Sequence, residues 1–214
     1  MRVLVACEYS ATVRDAFIHA GHDALSCDLL PSESDMGPHH QGDVFDVIDN
    51  GWDLLVAHPP CTYLTNAANG SLYRTESSTG ALVGPARWKA LIEGAVFFRR
   101  LLHSSIPRIA IENPVMNRSA QLIIGRGSDQ TVQPWMFGHT ETKAVCLWLK
   151  NLPPLIGTED CKAAMMQLPE RERAKVHWAT PGPERSKERS RFFIGIAEAM
   201  ADQWGVLEPV ARAA

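Results

Sequence analysis

Residues 1–28 are MRVLVACEYSATVRDAFIHAGHDALSCD, and this stretch decides the fold class. MRVLVACEY, with its run of apolar and β-branched residues, predicts a first strand. SATVRDAFIHAG predicts a helix that begins after Ser10 as N-cap and stops at Gly21, with apolar residues at helical spacing at Val13, Phe17 and Ile18. HDALSCD then predicts a second strand that ends at Asp28.

The alternation of strands and helices continues beyond this stretch. GDVFDVIDNG predicts a short acidic turn and helix, and WDLLVA predicts a third strand. Such a series is typical of α/β proteins with a doubly wound, mostly parallel sheet of the Rossmann-like type. Further on, PARWKALIEGAVFFRRLLHS predicts a long helix with its apolar side chains in the core, and PRIAIENP predicts a short buried strand that ends at Glu112 and Asn113.

The remaining segments carry loop signals and two further elements. Residues 66–84 are rich in Gly, Ser, Thr and Asn and predict a long loop, which is a candidate lid. QPWMFGHTETKAVCLWLKNLPPL predicts two strands around a turn at residues 138–142. Residues 156–185 are expected to be irregular with one helix, and SRFFIGIAEAMADQWG to form a closing amphipathic helix. We expect a single domain over residues 1–214.

Composition favours a cytoplasmic globular protein. The chain has 214 residues, of which 45% are hydrophobic and 21% charged, and no apolar run reaches the roughly 20 residues of a membrane helix. Five widely spaced cysteines without a CxxC pair are expected to be reduced thiols. The net charge of −3 argues against nucleic-acid binding, but residues 28–53 hold no Lys or Arg, whereas residues 171–191 hold seven of them and only three acidic residues. That asymmetry predicts either one basic face or an ordinary solvated surface.

Side chains suited to catalysis or ligand binding follow the predicted strands. Because ligands of a doubly wound sheet bind at the carboxyl ends of its strands, Glu8, Asp28, Cys61 and Glu112 are the candidates. Asp28 is placed to accept hydrogen bonds from ribose hydroxyls, or else is a turn residue. In the stretch AHPPCTYLT the two prolines stiffen the exit from the third strand and restrict the direction of Cys61, which suits a nucleophile or a tight turn.

Glu112 makes a poor activator of Cys61, because a neighbouring carboxylate opposes the formation of a thiolate. It is better suited to hold a substrate that Cys61 attacks, by hydrogen bonding to a ring nitrogen when protonated.

These motifs in this order resemble those of the DNA (cytosine-5) methyltransferase family. The resemblance rests on Pro60-Cys61, on Glu112-Asn113, on CEYSA after the first strand, on Asp28 after the second, and on Gly42-Asp43. It covers nearly the whole chain, up to a closing helix that returns to the cofactor site. The compact size is similar to that of phage-encoded members.

The resemblance implies a fold that binds S-adenosylmethionine (SAM) and a methyl transfer to carbon 5 of a cytosine flipped out of DNA. Cys61 would attack carbon 6, Glu112 would hold N3 and the exocyclic amine, and Lys143 would approach O2. The implied cofactor contacts are Cys7, Glu8, Tyr9, Ser10, Asp28, Leu29, Asp43, Val44, Pro59 and Pro60. The implied substrate contacts are Pro60, Thr62, Arg74 and Asn113, and the candidate phosphate contacts are Arg74, Arg171, Arg173, Lys175, Arg185, Lys187 and Arg189. No metal is required, and Pro38-His39-His40 is expected to be an exposed loop.

The chain also departs from the family pattern. Its cofactor loop lacks the family's glycines, Thr62 follows Cys61 where Gln is common, and the closing Gly-Asn-Ser motif is absent. Residues 151–184 form a small excursion in place of a full target-recognition domain. Two alternatives therefore stay open. One is an enzyme that modifies free cytosine nucleotides with SAM or a modified SAM, and the other is a non-catalytic SAM-fold protein that binds DNA or a partner.

Overall fold

The structure of the chain is a computed structural model that describes residues 1–78, 80–178 and 191–208. Its centre is a seven-stranded sheet made of β1 (Arg2–Ala6), β2 (Asp23–Asp28), β3 (His39–Gln41), β4 (Leu54–Ala57), β5 (Arg108–Asn113), β6 (Gln130–Val132) and β7 (Val145–Lys150). The strand order is β3-β2-β1-β4-β5-β7-β6, and β7 runs antiparallel to both of its neighbours, β5 and β6. This is the doubly wound, mostly parallel α/β architecture predicted from the sequence.

Seven α-helices are described around the sheet. They are α1 (Thr12–His19), α2 (Gly84–Leu102), α3 (Arg118–Ile124), α4 (Lys162–Gln167), α5 (Glu170–Arg173), α6 (Lys175–Trp178) and α7 (Ile194–Gly205). Short 3₁₀ helices cover Val44–Asp46, Asn66–Leu72 and Pro134–Met136. None of the helices in the described ranges is long and apolar enough to cross a membrane.

Alternate residues of the central strands supply two cores on opposite faces of the sheet. On one face, Leu4 and Leu55 pack with Leu91 and Phe98 of α2. On the other face, Val5 and Val56 belong to the core that contains Phe17 of α1 and Trp204 of α7. Because β1 and β4 are apolar on both faces, they form the buried middle of the sheet, and Arg2 at the amino end of β1 is their one exposed residue.

Several boundaries differ from the sequence predictions. The predicted N-cap Ser10 is wrong, since α1 is preceded by Ala11 at φ 61°, and Ser10 does not cap the helix. Pro38-His39-His40 was expected to be an exposed loop, but residues 39–41 pair with β2 from Ser26–His39 to Asp28–Gln41. The pair of strands predicted around residues 138–142 is only half right, because Pro134–Met136 is a 3₁₀ helix and the partner of β7 lies earlier, at β6.

Other segments hold more helix than predicted. Residues 118–124 form α3, which Asn117 caps by accepting the Ala120 N–H at 2.8 Å. The described part of the excursion, residues 151–178, contains the three short helices α4, α5 and α6 instead of one. The predicted loop behind Cys61 begins with the 3₁₀ helix Asn66–Leu72, whose Leu72 is buried in the core.

A buried arginine fastens the loop after β2 to α1. The Arg14 side chain is fully buried and forms a salt bridge with Asp15 at 2.7 Å. Its guanidinium also donates to Ser26 Oγ, Ser32 Oγ, the Ser34 carbonyl and the Pro38 carbonyl. One side chain therefore organises residues 32–38, which lead into β3.

Arg14→Met is expected to lower the free energy of unfolding by about 3 kcal/mol, because it removes the donor to Oδ1 of Asp15 and to several other oxygens around the guanidinium. Arg14→Lys retains the charge but not the planar fork of donors, so it should lose part of this amount. Urea unfolding of the three proteins measures the difference. A change below about 0.5 kcal/mol for Arg14→Met would contradict the role given to this side chain.

Candidate active site

The strand order brings three distant parts of the chain to one edge of the sheet. Glu8 follows β1, His58 follows β4 and Glu112 lies near the end of β5, and these strands are neighbours in the order β1-β4-β5. We call this edge, where the parallel strands end, the carboxyl edge. It is the place at which a doubly wound sheet binds its ligands.

The loop that carries Cys61 is held by hydrogen bonds to its backbone. The His58 N–H donates to the Ala6 carbonyl at 2.9 Å, and the Asn113 amide donates to the Pro59 carbonyl at 2.9 Å. The Thr62 carbonyl accepts from Arg87 at 2.8 Å. Pro59 is buried, Pro60 is exposed and Cys61 is half-buried. The two prolines thus lead the chain outward from the buried strand to the half-buried Cys61.

Residues after Cys61 are fixed against the loop that follows β5. The Asn117 N–H donates to the Leu64 carbonyl at 2.7 Å, and the Asn66 N–H donates to the Val115 carbonyl at 3.1 Å. Leu64 itself is fully buried in the core. The segment with Cys61 and the segment with Glu112 and Asn113 therefore form one structural unit, although about 50 residues separate them in sequence.

His58 is a member of the site that sequence reasoning missed. Its Nδ1 lies 3.4 Å from Oε2 of Glu112, and its ring packs on Phe192 with centroids 4.7 Å apart. Three buried polar atoms here have no hydrogen-bond partner: Nε2 of His58, Oε1 of Glu112 and Oδ1 of Asn113. Because burying an unpaired polar atom is costly, such a group is expected where a ligand completes the hydrogen bonds.

Glu8 acts on the start of α1. Its carboxylate accepts the Val13 N–H at 2.7 Å and the Arg14 N–H at 3.2 Å, which satisfies two of the free donors at a helix N-terminus. Glu8 is only 4% exposed. Burial raises the pKa of its carboxyl group, while His58 and the two backbone hydrogen bonds lower it. Its predicted contact with a cofactor stays a prediction.

The loop CEYSA adopts backbone angles that glycine usually supplies. Cys7 and Ala11 both have positive φ, at 59° and 61°. Residues other than glycine adopt this left-handed region at a cost of about 1–2 kcal/mol each. A glycine-like turn is thus formed without glycine between β1 and α1.

Three of the residues predicted to bind the cofactor lie close together behind this turn. Burial and, after it, the charges of Asp28 and Asp43 raise the pKa of the Cys7 thiol, which is therefore uncharged at neutral pH. The Asp28 carboxylate accepts the Leu30 N–H at 2.9 Å, so it does serve a turn, and Asp43 accepts the Phe45 N–H at 3.0 Å. Of the other predicted contacts, Val44 is buried and Leu29 is 75% exposed.

A cleft of about 320 Å³ opens beside α1 and the start of α7. It is lined by Ser10, Thr12, Glu33, His139 and residues 191–194. Arg191 lies 3.6 Å from Glu33, and the Glu33 N–H donates to the Tyr9 carbonyl at 2.8 Å. The segment before α7 therefore contacts Glu33, which in turn is hydrogen-bonded to the loop after β1. The volume lies in the range of small-molecule pockets.

The remaining predicted contacts lie around the carboxyl edge and the excursion. Lys143 precedes β7 and places its Nζ 5.5 Å from the ring centre of Phe193. The Thr62 side chain and Arg74 are exposed. Arg171 lies over Trp178, Arg173 contacts Met166, and Lys175 pairs with Glu141, whereas Arg185, Lys187 and Arg189 fall outside the described residues. The described ranges contain no cluster of three His, Cys, Asp or Glu side chains suited to a metal ion.

No protein-family model and no curated protein matches the chain. Solved structures similar to it include a candidate DNA modification methyltransferase encoded within an E. coli prophage, with a TM-score of 0.44 and 13% identity, covering 79% of this chain and 56% of that one. Another is a mutant of Spodoptera frugiperda DNMT2, with a TM-score of 0.43 and 12% identity, covering 74% of this chain and 54% of that one. The chain spans about half the length of these two structures.

Glu8 is expected to make stability depend on pH. Since burial raises its pKa in the folded state above the ordinary value of 4.5, folded protein holds the proton more tightly than unfolded protein. Its contribution to stability is then fully present below pH 4.5 and is lost as the pH rises through the folded pKa, at up to about 1.4 kcal/mol per pH unit.

The variant Glu8→Gln removes this titration. The free energy of unfolding of the wild type, minus that of Glu8→Gln, should fall as the pH is raised from 4.5. Urea unfolding of both proteins across a pH series measures this difference in the free energy of unfolding. A difference that is flat or rises with pH would show that burial does not control this carboxyl group.

Proposed function

We propose that this protein is a SAM-dependent methyltransferase that transfers a methyl group to carbon 5 of cytosine in DNA through a covalent adduct with Cys61. The observation that carries the proposal is the loop Pro59-Pro60-Cys61, fastened by Asn113 beside Glu112, whose Oε1 is buried and has no partner. A half-buried thiol held by its backbone and a buried acceptor on the next strand are the two groups that this reaction needs.

Glu112 is suited to recognise the cytosine ring. Its free Oε1 can accept the N4 amine, in the way that carboxylates recognise cytosine. With a proton on the carboxyl group, it also donates to N3 and withdraws electrons from the ring. Carbon 6 then becomes electrophilic enough for addition of the Cys61 thiolate. Asn113 supports this reaction by fixing the Pro59 carbonyl and, through it, the direction of Cys61.

The proposed reaction has three steps, which are addition, methyl transfer and elimination. Addition of the thiolate forms a bond between sulfur and carbon 6, and the electron pair of the double bond between carbons 5 and 6 makes carbon 5 nucleophilic. In the methyl transfer, carbon 5 would bond to the methyl group as the bond between that group and the sulfur of SAM breaks, and S-adenosylhomocysteine would leave with the electron pair. A base then removes the proton from carbon 5, the double bond is restored and Cys61 leaves as a thiolate. The product is 5-methylcytosine.

The chain offers residues suited to hold SAM. Three features lie along the carboxyl edge: the tight turn of residues 7–11, the carboxylates of Asp28 and Asp43, and the cleft beside Ser10 and Thr12. Asp28 and Asp43 provide acceptors for ribose hydroxyls and the adenine amine, and the cleft accommodates the amino-acid end. When bound, SAM supplies an electrophilic methyl group to carbon 5 of the cytosine.

DNA as the substrate requires that the cytosine leave the helix, because carbon 6 is inaccessible within the base stack. Arg74 and the basic residues of α5 and α6 are the proposed phosphate contacts, and residues 66–84 are the proposed lid. The described part of the excursion consists of helices of six, four and four residues, which provide little surface for reading bases. We therefore expect short or relaxed sequence recognition.

The small excursion also supports a second candidate function, methylation of a free cytosine nucleotide. A nucleotide needs neither a recognition domain nor base flipping, and the same Cys61 and Glu112 chemistry applies to it. The substrates distinguish the two candidates, since the labelled methyl group ends either in DNA or in the nucleotide.

The central experiment supplies SAM with a labelled methyl group to duplex DNA and, separately, to dCMP. We expect label in DNA as 5-methylcytosine. Label in dCMP alone would replace the first candidate by the second.

Calorimetry with SAM tests the remaining alternative, because a non-catalytic protein with an altered loop would show no binding at millimolar SAM.

Cys61→Ser is expected to lower kcat by more than about 10³-fold while SAM binding is retained, since serine is a much poorer nucleophile at neutral pH. Cys161→Ser is the matched control, because Cys161 is also partly exposed but precedes α4 in the excursion. It should retain full activity. Methylation by Cys61→Ser at a rate near that of the wild type would remove Cys61 from the mechanism.

A further inference from the structure

His58 lies between two acidic side chains at the carboxyl edge. Its Nδ1 is 3.4 Å from Oε2 of Glu112, and the side chains of His58 and Glu112 are only 13% and 11% exposed. On its other side His58 is close enough to Glu8 to lower the pKa of that carboxyl group. The imidazole therefore lies beside the end of β5, in contact with Glu112.

The imidazole is also held mechanically. The His58 N–H donates to the Ala6 carbonyl, the following Pro59 restricts the backbone of His58, and the ring packs on Phe192 at the start of the closing segment. The backbone of His58 is thus held to β1, and its ring is packed against Phe192. A ring held in this way can orient the group that it contacts.

Glu112 has no other contact that orients its carboxylate among the hydrogen bonds of the described residues. Asn113, its neighbour, uses its amide for the Pro59 carbonyl, and Oε1 of Glu112 is buried without a partner. The 3.4 Å separation from His58 is longer than the 2.7–3.2 Å of a strong hydrogen bond, and such contacts in active sites often tighten when substrate binds.

We propose that His58 is the positioning residue for Glu112. Its Nδ1–H donates to Oε2, fixes the orientation of the carboxylate and directs Oε1 toward the cytosine. This inference rests on the proposed function, because it takes Glu112 to be the group that holds the base. It adds a residue whose sequence context, between a strand and two prolines, shows no such role.

Two amide variants separate this role from a general effect on packing. The amide N–H of asparagine reaches the position of Nδ1, whereas that of glutamine reaches the position of Nε2. His58→Asn should therefore keep kcat within about threefold of the wild type, while His58→Gln and His58→Ala lose about 10²-fold. The KM for SAM should be unchanged in all three. Thermal unfolding confirms that each variant folds.

Equal losses in His58→Asn and His58→Gln would overturn the proposal, because a group at the position of Nδ1 would then have no special effect. Retention of activity in His58→Ala would overturn it too.

A second measurement does not depend on activity. The ¹⁵N chemical shifts of the imidazole, recorded at one pH and assigned to His58 by their absence in His58→Asn, report which ring nitrogen carries a proton. We expect a protonated Nδ1 whose shift changes in Glu112→Gln and not in the control Glu93→Gln, which alters an exposed glutamate of α2. An unchanged Nδ1 shift in Glu112→Gln would refute the contact. A wild type that methylates neither DNA nor dCMP would instead refute the proposed function, and the two failures are distinguishable.

Discussion

The hydrogen bond from the Asn113 amide to the Pro59 carbonyl joins the two halves of the candidate site. It is buried and links β5 to the loop after β4 at 2.9 Å. Around it, the Thr62 carbonyl is held by Arg87 and the Leu64 carbonyl by Asn117, so the loop has little freedom to move. The defined place of the half-buried Cys61 depends on these contacts, because prolines alone restrict the direction of the chain but not its position.

The carboxyl edge combines a firm framework with incomplete hydrogen bonding. Glu8 accepts two backbone hydrogen bonds at the start of α1, and Arg14 donates to the loop that leads to β3. In contrast, His58, Glu112 and Asn113 each retain a buried polar atom without a partner. Since native proteins leave few such atoms, their concentration at the ends of β4 and β5 marks this place as the one where a ligand is expected.

The local pattern of apolar residues was sufficient to predict the central strands and the longest helix. WDLLVA and PRIAIEN are apolar runs of strand length, and residues 84–102 have a clear helical period. The edge strand β3 was missed because His39-His40-Gln41 is polar, and its pairing depends on β2 and on the contact between Ser26 and His39. Helix α3 could have been found from Asn117 and Gly125, which cap its two ends. His58 was missed because its partner Glu112 is 54 residues away in sequence.

Covalent trapping on 5-fluorocytosine tests most directly whether Cys61 attacks the cytosine. Fluorine at carbon 5 cannot be removed as a proton is, so an adduct formed at carbon 6 persists after methyl transfer. With SAM and DNA that contains 5-fluorocytosine, mass spectrometry should find the modified base on the peptide that contains Cys61, and none in Cys61→Ser. Formation of 5-methylcytosine in ordinary DNA without such an adduct, or with the adduct on another cysteine, would contradict the mechanism.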